Sequence, residues 1–490
     1  MSEEKKPRPR RSLALSYARL AEDVTQKELS ERSGIEDISI LEKHRAPDAE
    51  TMGTLFAALD RRLPEQVDTA LFCADLMRPP APAAVSPVEP TPDEARTLQG
   101  AAALEAVAVF DATFDMLIQD LREEKARVCR REAEALFKDL MKRPAAERWR
   151  LVEEQEVWRS WALAERTAFA SAKLAAHDAD AALDLARLAV RMAELTPGGE
   201  AWRSRVGGIC WGFFANAERV KGDFPASDQS FLQSDRLWKA GAVADPGLIL
   251  DGTRLLDLKA SLRRYQGRYE ESLSLLAEAL SACRSPQAAG RILLQEAVTL
   301  EQMGDWQHAI EKLQQAEAQI DAHGDPRLLC VVNFSLGVNF CNAGRYVEAE
   351  EQLPKVRRLA IELGNGLDLL RCRWLQGTIL AGQGNLAEAV ADLEAVAGEL
   401  VALVIAFDAA QACLDLAELY LRQGRTAEVK RLAGQIVAVF KAQGVHREAL
   451  AAVILFQEAA EQERATVELA RKLSEYLRRA QHNPDLHFEP

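Results

Sequence analysis

No Cys-x-x-Cys occurs in this chain, and its eight cysteines, at 73, 129, 210, 283, 330, 341, 372 and 413, lie scattered. No histidine cluster accompanies them: the seven histidines, at 44, 177, 308, 323, 446, 482 and 487, are dispersed. That pattern argues against a zinc or dithiol site and reads as buried thiols in a reducing compartment. A phosphate-binding Gly-x-x-x-x-Gly-Lys run, a dinucleotide fingerprint, His-Glu-x-x-His and the Gly-x-Ser-x-Gly elbow are also missing. The expectation is a protein that is not an enzyme and carries no cofactor or metal. The N-terminus lacks the apolar core of a secretory leader. The longest apolar stretch, Leu400 to Phe407, is far too short to span a bilayer. A cytoplasmic protein without a membrane partner is expected.

What is there favours helix. Ala, Leu, Glu and Arg dominate the 490 residues and β-branched runs are short. Charged residues make up 28% and hydrophobic residues 48%, the balance of a soluble folded chain. The net charge of −14 makes general nucleic-acid binding unfavourable, so any DNA contact needs a local basic patch.

One phrase recurs from residue 177 onward: a turn, an aromatic or apolar residue, then a helical run. The clearest copies are Gly267-Arg268-Tyr269, Gly304-Asp305-Trp306, Gly344-Arg345-Tyr346, Gly384-Asn385-Leu386 and Gly424-Arg425-Thr426. Gly222-Asp223-Phe224 is a weaker copy, and His177-Asp178 begins another. The glycines from 304 to 424 are forty residues apart, a period that marks stacked repeats. Five residues past each turn glycine comes Ser272, Ala309, Ala349, Ala389 or Val429. Four further on comes Leu276, Leu313, Leu353, Leu393 or Ala433, which places both on one helical face. The glycine ends the first helix of a pair, where a left-handed residue is needed. This resembles the tetratricopeptide repeat in a long-helix form, over about residues 163–480.

Near the N-terminus, Thr25 and Glu28 form a capping box that opens a short helix, and Ser33-Gly34 breaks it. Thr25-Gln26, Leu29, Gly34, Ile38-Ser39, Leu41-Glu42, Pro47, Thr51, Leu55 and Leu59 together resemble the helix-turn-helix domain of phage-repressor and Cro-like regulators. The resemblance implies contact with duplex DNA through Thr25, Gln26, Lys27, Ile38, Ser39, Lys43 and Arg45, with a recognition helix in the major groove. Glu36 and Asp37 stand where that family usually has Ser, Thr, Arg or Gln, the stretch from Gly34 to Glu42 is shorter than usual, and residues 12–62 have no basic surplus. These features favour an alternative, a head that docks protein or pairs with another head.

The fold expected is all-α: a small helix-turn-helix domain plus an α-solenoid of tetratricopeptide-like helix pairs. Residues 1–11 form a basic tail, 12–77 the helix-turn-helix domain, and 78–92, with six prolines, a semi-extended linker. A long helical connector occupies 93–162, the solenoid 163–480, and a tail 481–490. Six of the eight tryptophans fall between 149 and 238. They read as a packed cap or irregular first repeats, or else as an aromatic ligand pocket or dimer seam.

In stacked helix pairs the first helix lines the inner surface. Counting back from the turn glycines places Arg254, Arg264, Arg291, Gln295, Asn342, Arg371, Trp374 and Arg422 there. Guanidinium forks suit a carboxylate or exposed backbone, so the groove is expected to take a peptide or protein segment. Regulators with a repressor-like head and repeats that bind signalling peptides have the same order of parts. The expected function is a DNA-binding head controlled by a peptide- or protein-sensing repeat body, within a homo-oligomer. The alternative is a scaffold or adaptor that assembles protein partners through its repeats without DNA.

Overall fold

The computed structural model describes residues 25–35, 38, 41, 51, 54–55, 122–175, 178–245, 248–322, 324–481 and 486–489. The basic tail, the Pro-rich linker, residues 93–121 of the expected connector, and Ser39, Lys43 and Arg45 lie outside them. The chain divides into two compact units, Met1–Glu132 and Ala133–Pro490. The boundary falls inside the stretch expected to be the connector.

In the first unit, helix α1 (Gln26–Ser33) begins with the capping box: Glu28 N donates to Thr25 Oγ1 at 3.1 Å, and Thr25 N to Glu28 Oε2 at 2.8 Å. Gly34 ends the helix at φ 68°. Leu29, Ile38 and Leu55 are buried. A helix α2 runs through 122–141, so its residues 133–141 belong to the second unit.

The described residues of the second unit are helical throughout, with no strand among them. After α3 (Ala145–Glu154) come seven pairs. They are α4 (Trp161–Leu174) with α5 (Ala179–Leu195), α6 (Glu200–Val220) with α7 (Phe224–Ala240), and α8 (Thr253–Tyr265) with α9 (Tyr269–Ala282). Next are α10 (Pro286–Gln302) with α11 (Trp306–Gln319) and α12 (Pro326–Asn342) with α13 (Tyr346–Leu363). Then follow α14 (Gly366–Gly382) with α15 (Leu386–Ala402) and α16 (Ala406–Arg422) with α17 (Thr426–Ala442). Two more helices, α18 (Arg447–Glu461) and α19 (Val467–Ala480), end the array. This is an α-solenoid.

The turns form as the period requires. Gly222, Gly267, Gly304, Gly344, Gly384 and Gly424 all sit at φ between 68° and 87°, where a side chain would clash with its own backbone. The residues five and nine positions on enter the core; of these only Leu353 stays partly exposed. Small residues let the helices close up. A Cβ added at Gly337 would lie 2.6 Å from Leu375 Cδ2, and one at Gly377 2.9 Å from Leu393 Cγ. A second set of left-handed residues ends the second helices at the same period: Gly364 (φ 65°), Val404 (φ 55°) and Gly444 (φ 62°). The apolar run Leu400–Phe407 is therefore the end of α15, a turn at Val404, and the start of α16.

Each helix packs on its neighbours in sequence, and the first helices from α6 to α16 also touch one another directly. That closer approach marks the first-helix side as the inner face. The last helix departs from the pattern. α19 packs more closely on α16 than on its own neighbour α18. It lays Leu473 and Leu477 into the core shared by α14 to α19. Tyr420, Phe440 and Phe456 are fully buried in that core.

The tryptophan-rich start belongs to the first pairs. Trp161 meets Trp202 edge to face, with ring centroids 5.9 Å apart, and Trp211 meets Phe214 at 5.4 Å. Trp238 lies under the Arg205 guanidinium at 3.1 Å. Trp161–Trp202 and Arg205–Trp238 join different helices, and Trp211–Phe214 lies within α6, in keeping with irregular first repeats.

Candidate functional site

The inner face is crossed by side-chain bonds between successive first helices. Arg291 of α10 donates to Asp257 of α8 at 3.3 Å, and Asp257 also pairs with Arg254. Arg264 of α8 donates to Gln295 Oε1 of α10 at 2.8 Å. Asn339 of α12 donates to Glu301 of α10 at 3.3 Å, and Arg327 of α12 pairs with Asp368 of α14. Arg371 of α14 donates to Asp408 of α16 at 2.9 Å, and Trp374 Nε1 to Asp415 Oδ2 at 2.8 Å. The partners are 31 to 41 residues apart in sequence, close to one repeat. Stacking brings equivalent helices side by side, so an arginine on one finds an acid on the next.

Of the residues expected to line the groove, Arg254, Arg264, Arg291, Gln295, Arg371 and Trp374 are thus joined in this interhelix ladder. Arg422 pairs with Glu418 on its own helix, α16. Asn342 is exposed at the end of α12. Arg254, Arg291, Arg371 and Arg422 each have a carboxylate partner on their own or a neighbouring helix. Sequence reasoning missed those acids, Asp257 and Asp408 above all. It also missed Arg219 and Tyr265, since the weak turn at Gly222 gave no firm register to count back from.

The far end of the face is occupied. α19 lies over α16, where Gln411 Nε2 donates to the Ser474 carbonyl at 2.8 Å and Ser474 Oγ to Gln411 Oε1 at 2.6 Å. Arg471 Nε donates to Glu418 at 3.0 Å, and Arg478 Nε to Gln411 at 3.3 Å. Glu301 and Asp415 are partly buried, and burial pushes both carboxyls above their ordinary range; Asn339, Arg478 and Arg264 partly offset this at Glu301, and Arg478 and Trp374 at Asp415. A shallow depression of about 570 Å³ on α13, lined by Leu353, Pro354, Arg357 and Ile361, includes none of the inner-face residues.

In the first unit, Thr25 and Lys27 are exposed at the start of α1, with Gln26 partly so. Ile38 is 2% exposed. Its place among the DNA-facing residues is therefore corrected: its side chain is buried and not available to a base edge.

No family model matches this sequence, and no curated protein does. The fold is similar to solved structures at low identity. One is a Rap protein complexed with competence and sporulation factor, 12% identical, covering 64% of this chain and 88% of that one, with a TM-score of 0.46. Another is aspartyl phosphate phosphatase F from Bacillus subtilis, 13% identical, covering 85% and 94%, with a TM-score of 0.43. The second corrects the expectation that this chain is not an enzyme. That similar chain bears the name of a phosphatase. Among the described residues, no helix is long and apolar enough to cross a membrane.

Proposed function

We propose that the second unit is a scaffold whose inner face binds a peptide or protein segment. The observation that carries this reading is α19 itself. The inner face of α16 accepts an amphipathic helix through an apolar stripe and a polar seam, which is the chemistry of helix-in-groove recognition. The same face continues from α14 back to α8 with Trp374, Asn339, Gln295 and Arg264 along it. A solved Rap protein of similar fold is complexed with competence and sporulation factor. Co-purification with a tagged full-length chain, followed by mass spectrometry, tests the reading. A partner retained by the parent and by Arg291→Ala/Arg371→Ala/Arg422→Ala alike would remove this face from the interface.

The finer reading, a head that contacts duplex DNA through Thr25, Gln26 and Lys27, is supported by their position at an intact capping box on the first turn of α1. A gel-shift series across salt concentration decides it: a regulator binds duplex with a steep salt slope and a sequence preference. Sedimentation of the full chain tests self-association.

A further inference from the structure

We infer that Arg219 and Arg264, either side of the Tyr265 ring, form a binding site for an oxyanion, a carboxylate or phosphate group. The inference deepens the groove reading, on which it rests for its biological ligand, by naming the chemistry recognised at one end.

The two guanidiniums lie 4.6 and 5.4 Å from the centroid of the same ring. Arg264 is 6% exposed, and its Nε has no hydrogen-bond partner. Its Nη1 donates to the neutral Gln295 Oε1 at 2.8 Å. Arg219 donates to another neutral group, Asn216 Oδ1, at 3.3 and 2.9 Å. Among the described residues no carboxylate lies within 4.0 Å of either guanidinium. Of the acids nearby, Asp257 holds Arg254 and Arg291, while Glu301 takes the amide of Asn339 and reaches Arg264 only as a through-space charge.

Arg264 is buried with only neutral hydrogen-bond partners and Arg219 beside it is partly buried, so their positive charge is only partly compensated, at a cost in free energy. Burial lowers the Arg219 pKa, and repulsion from Arg264 and Arg254 adds to this, while Tyr265 opposes it. Tyr265 responds in the opposite sense: burial would raise its phenol, but Arg219 and Arg264 outweigh it and hold it below the ordinary value. Each arginine is also at the C-terminal end of its helix, where the backbone dipole favours a cation. These features hold positive charge in place and leave one donor, Arg264 Nε, unused. A carboxylate or phosphate oxygen supplies the missing partner through charge-assisted bonds.

The test uses the full chain with inorganic phosphate and, separately, N-acetylglutamate, titrated calorimetrically at constant ionic strength. Saturable binding of at least one anion is expected, weakened tenfold or more in Arg219→Gln. It should be unchanged in Arg268→Gln, an exposed arginine paired with Glu271. A preference for phosphate points to a phosphoryl group as the natural ligand, and a preference for N-acetylglutamate to an acidic residue. The alkaline tyrosine difference spectrum gives a second readout: bound anion moves one phenol ionisation to higher pH, and Tyr265→Phe abolishes that shift. Arg219→Lys, which keeps the charge and loses the fork, serves if the glutamine variant fails to fold. No saturation by either anion, or binding unchanged in both Arg219 variants, overturns the site. Because no protein partner is present, that failure is separate from failure of the groove reading.

Discussion

Arg205 and Asp245 form an ion pair sealed inside the first repeats, with Nε 3.3 Å from Oδ2 and side chains only 4% and 0% exposed. Asp245 also accepts the backbone N–H groups of Ile249 and Leu250, and Arg205 donates to the Trp238 carbonyl at 2.9 Å. One pair therefore ties α6, the end of α7 and the chain leading to α8. Removing a single member leaves a buried charge unpaired. Asp245→Asn should cost about 3–5 kcal/mol, read from urea unfolding followed by tryptophan fluorescence.

Gly241 lies directly against that pair. A Cβ there would sit 2.3 Å from Arg205 N, a backbone atom with little room to yield. Gly241→Ala should destabilise the first repeats by about 1–3 kcal/mol, as overpacking does. A melting temperature equal to the parent's would show that α6 and α7 can separate at this point without penalty.

Asp415 gives a pH dependence. Burial raises its carboxyl pKa, Arg478 and the Trp374 N–H partly offset that, and Glu418 adds to it. A carboxyl raised in the folded state favours folding when protonated, so its contribution is complete in acid and is lost as pH climbs through the raised value. Asparagine keeps an oxygen for Trp374 and removes the charge. Asp415→Asn should be more stable than the parent at pH 8, and the gap should close towards pH 4 in paired denaturation curves.

Val404 occupies the left-handed position that glycine fills forty residues before and after it. A β-branched residue in that conformation carries strain on the order of 1–2 kcal/mol. Val404→Gly should raise stability by about 1 kcal/mol, less the packing that the valine gives to its neighbours. A loss of stability in thermal unfolding would mean that packing dominates.

Leu473 anchors α19 in the core beneath it. Leu473→Ala should cost about 2–5 kcal/mol and speed amide exchange in α19 and α16. In a stacked array the effect should fade within neighbouring repeats, leaving α8 and α10 protected as before.

The repeats were legible in the sequence because the backbone leaves little choice at their turns. Gly304, Gly344, Gly384 and Gly424 keep a conformation other residues avoid, and Ala309, Ala349 and Ala389 keep the space beneath it small. Val404 escaped notice for the converse reason: a turn made without glycine looks like part of an apolar run. The inner face was legible as a set of positions, but the pairing of its charges was not. Whether Arg371 is free or bonded to Asp408 depends on the stagger between stacked helices, which a single-chain period does not contain. Nor did the alternation of first and second helices foretell α19, whose polar seam to Gln411 and Glu418 becomes visible only once it has turned back.

The uneven placement of two residue types has a practical consequence. Six tryptophans lie between residues 149 and 238, whereas Cys330, Cys341, Cys372 and Cys413 are buried in α12 to α16. Indole emission therefore watches mainly one end of the array, and thiol labelling by an impermeant reagent mainly the other, with Trp306, Trp374 and Cys210 as the exceptions. If the two signals part company along a denaturant gradient, melting proceeds zone by zone; if they coincide, the stack lets go as a single cooperative block.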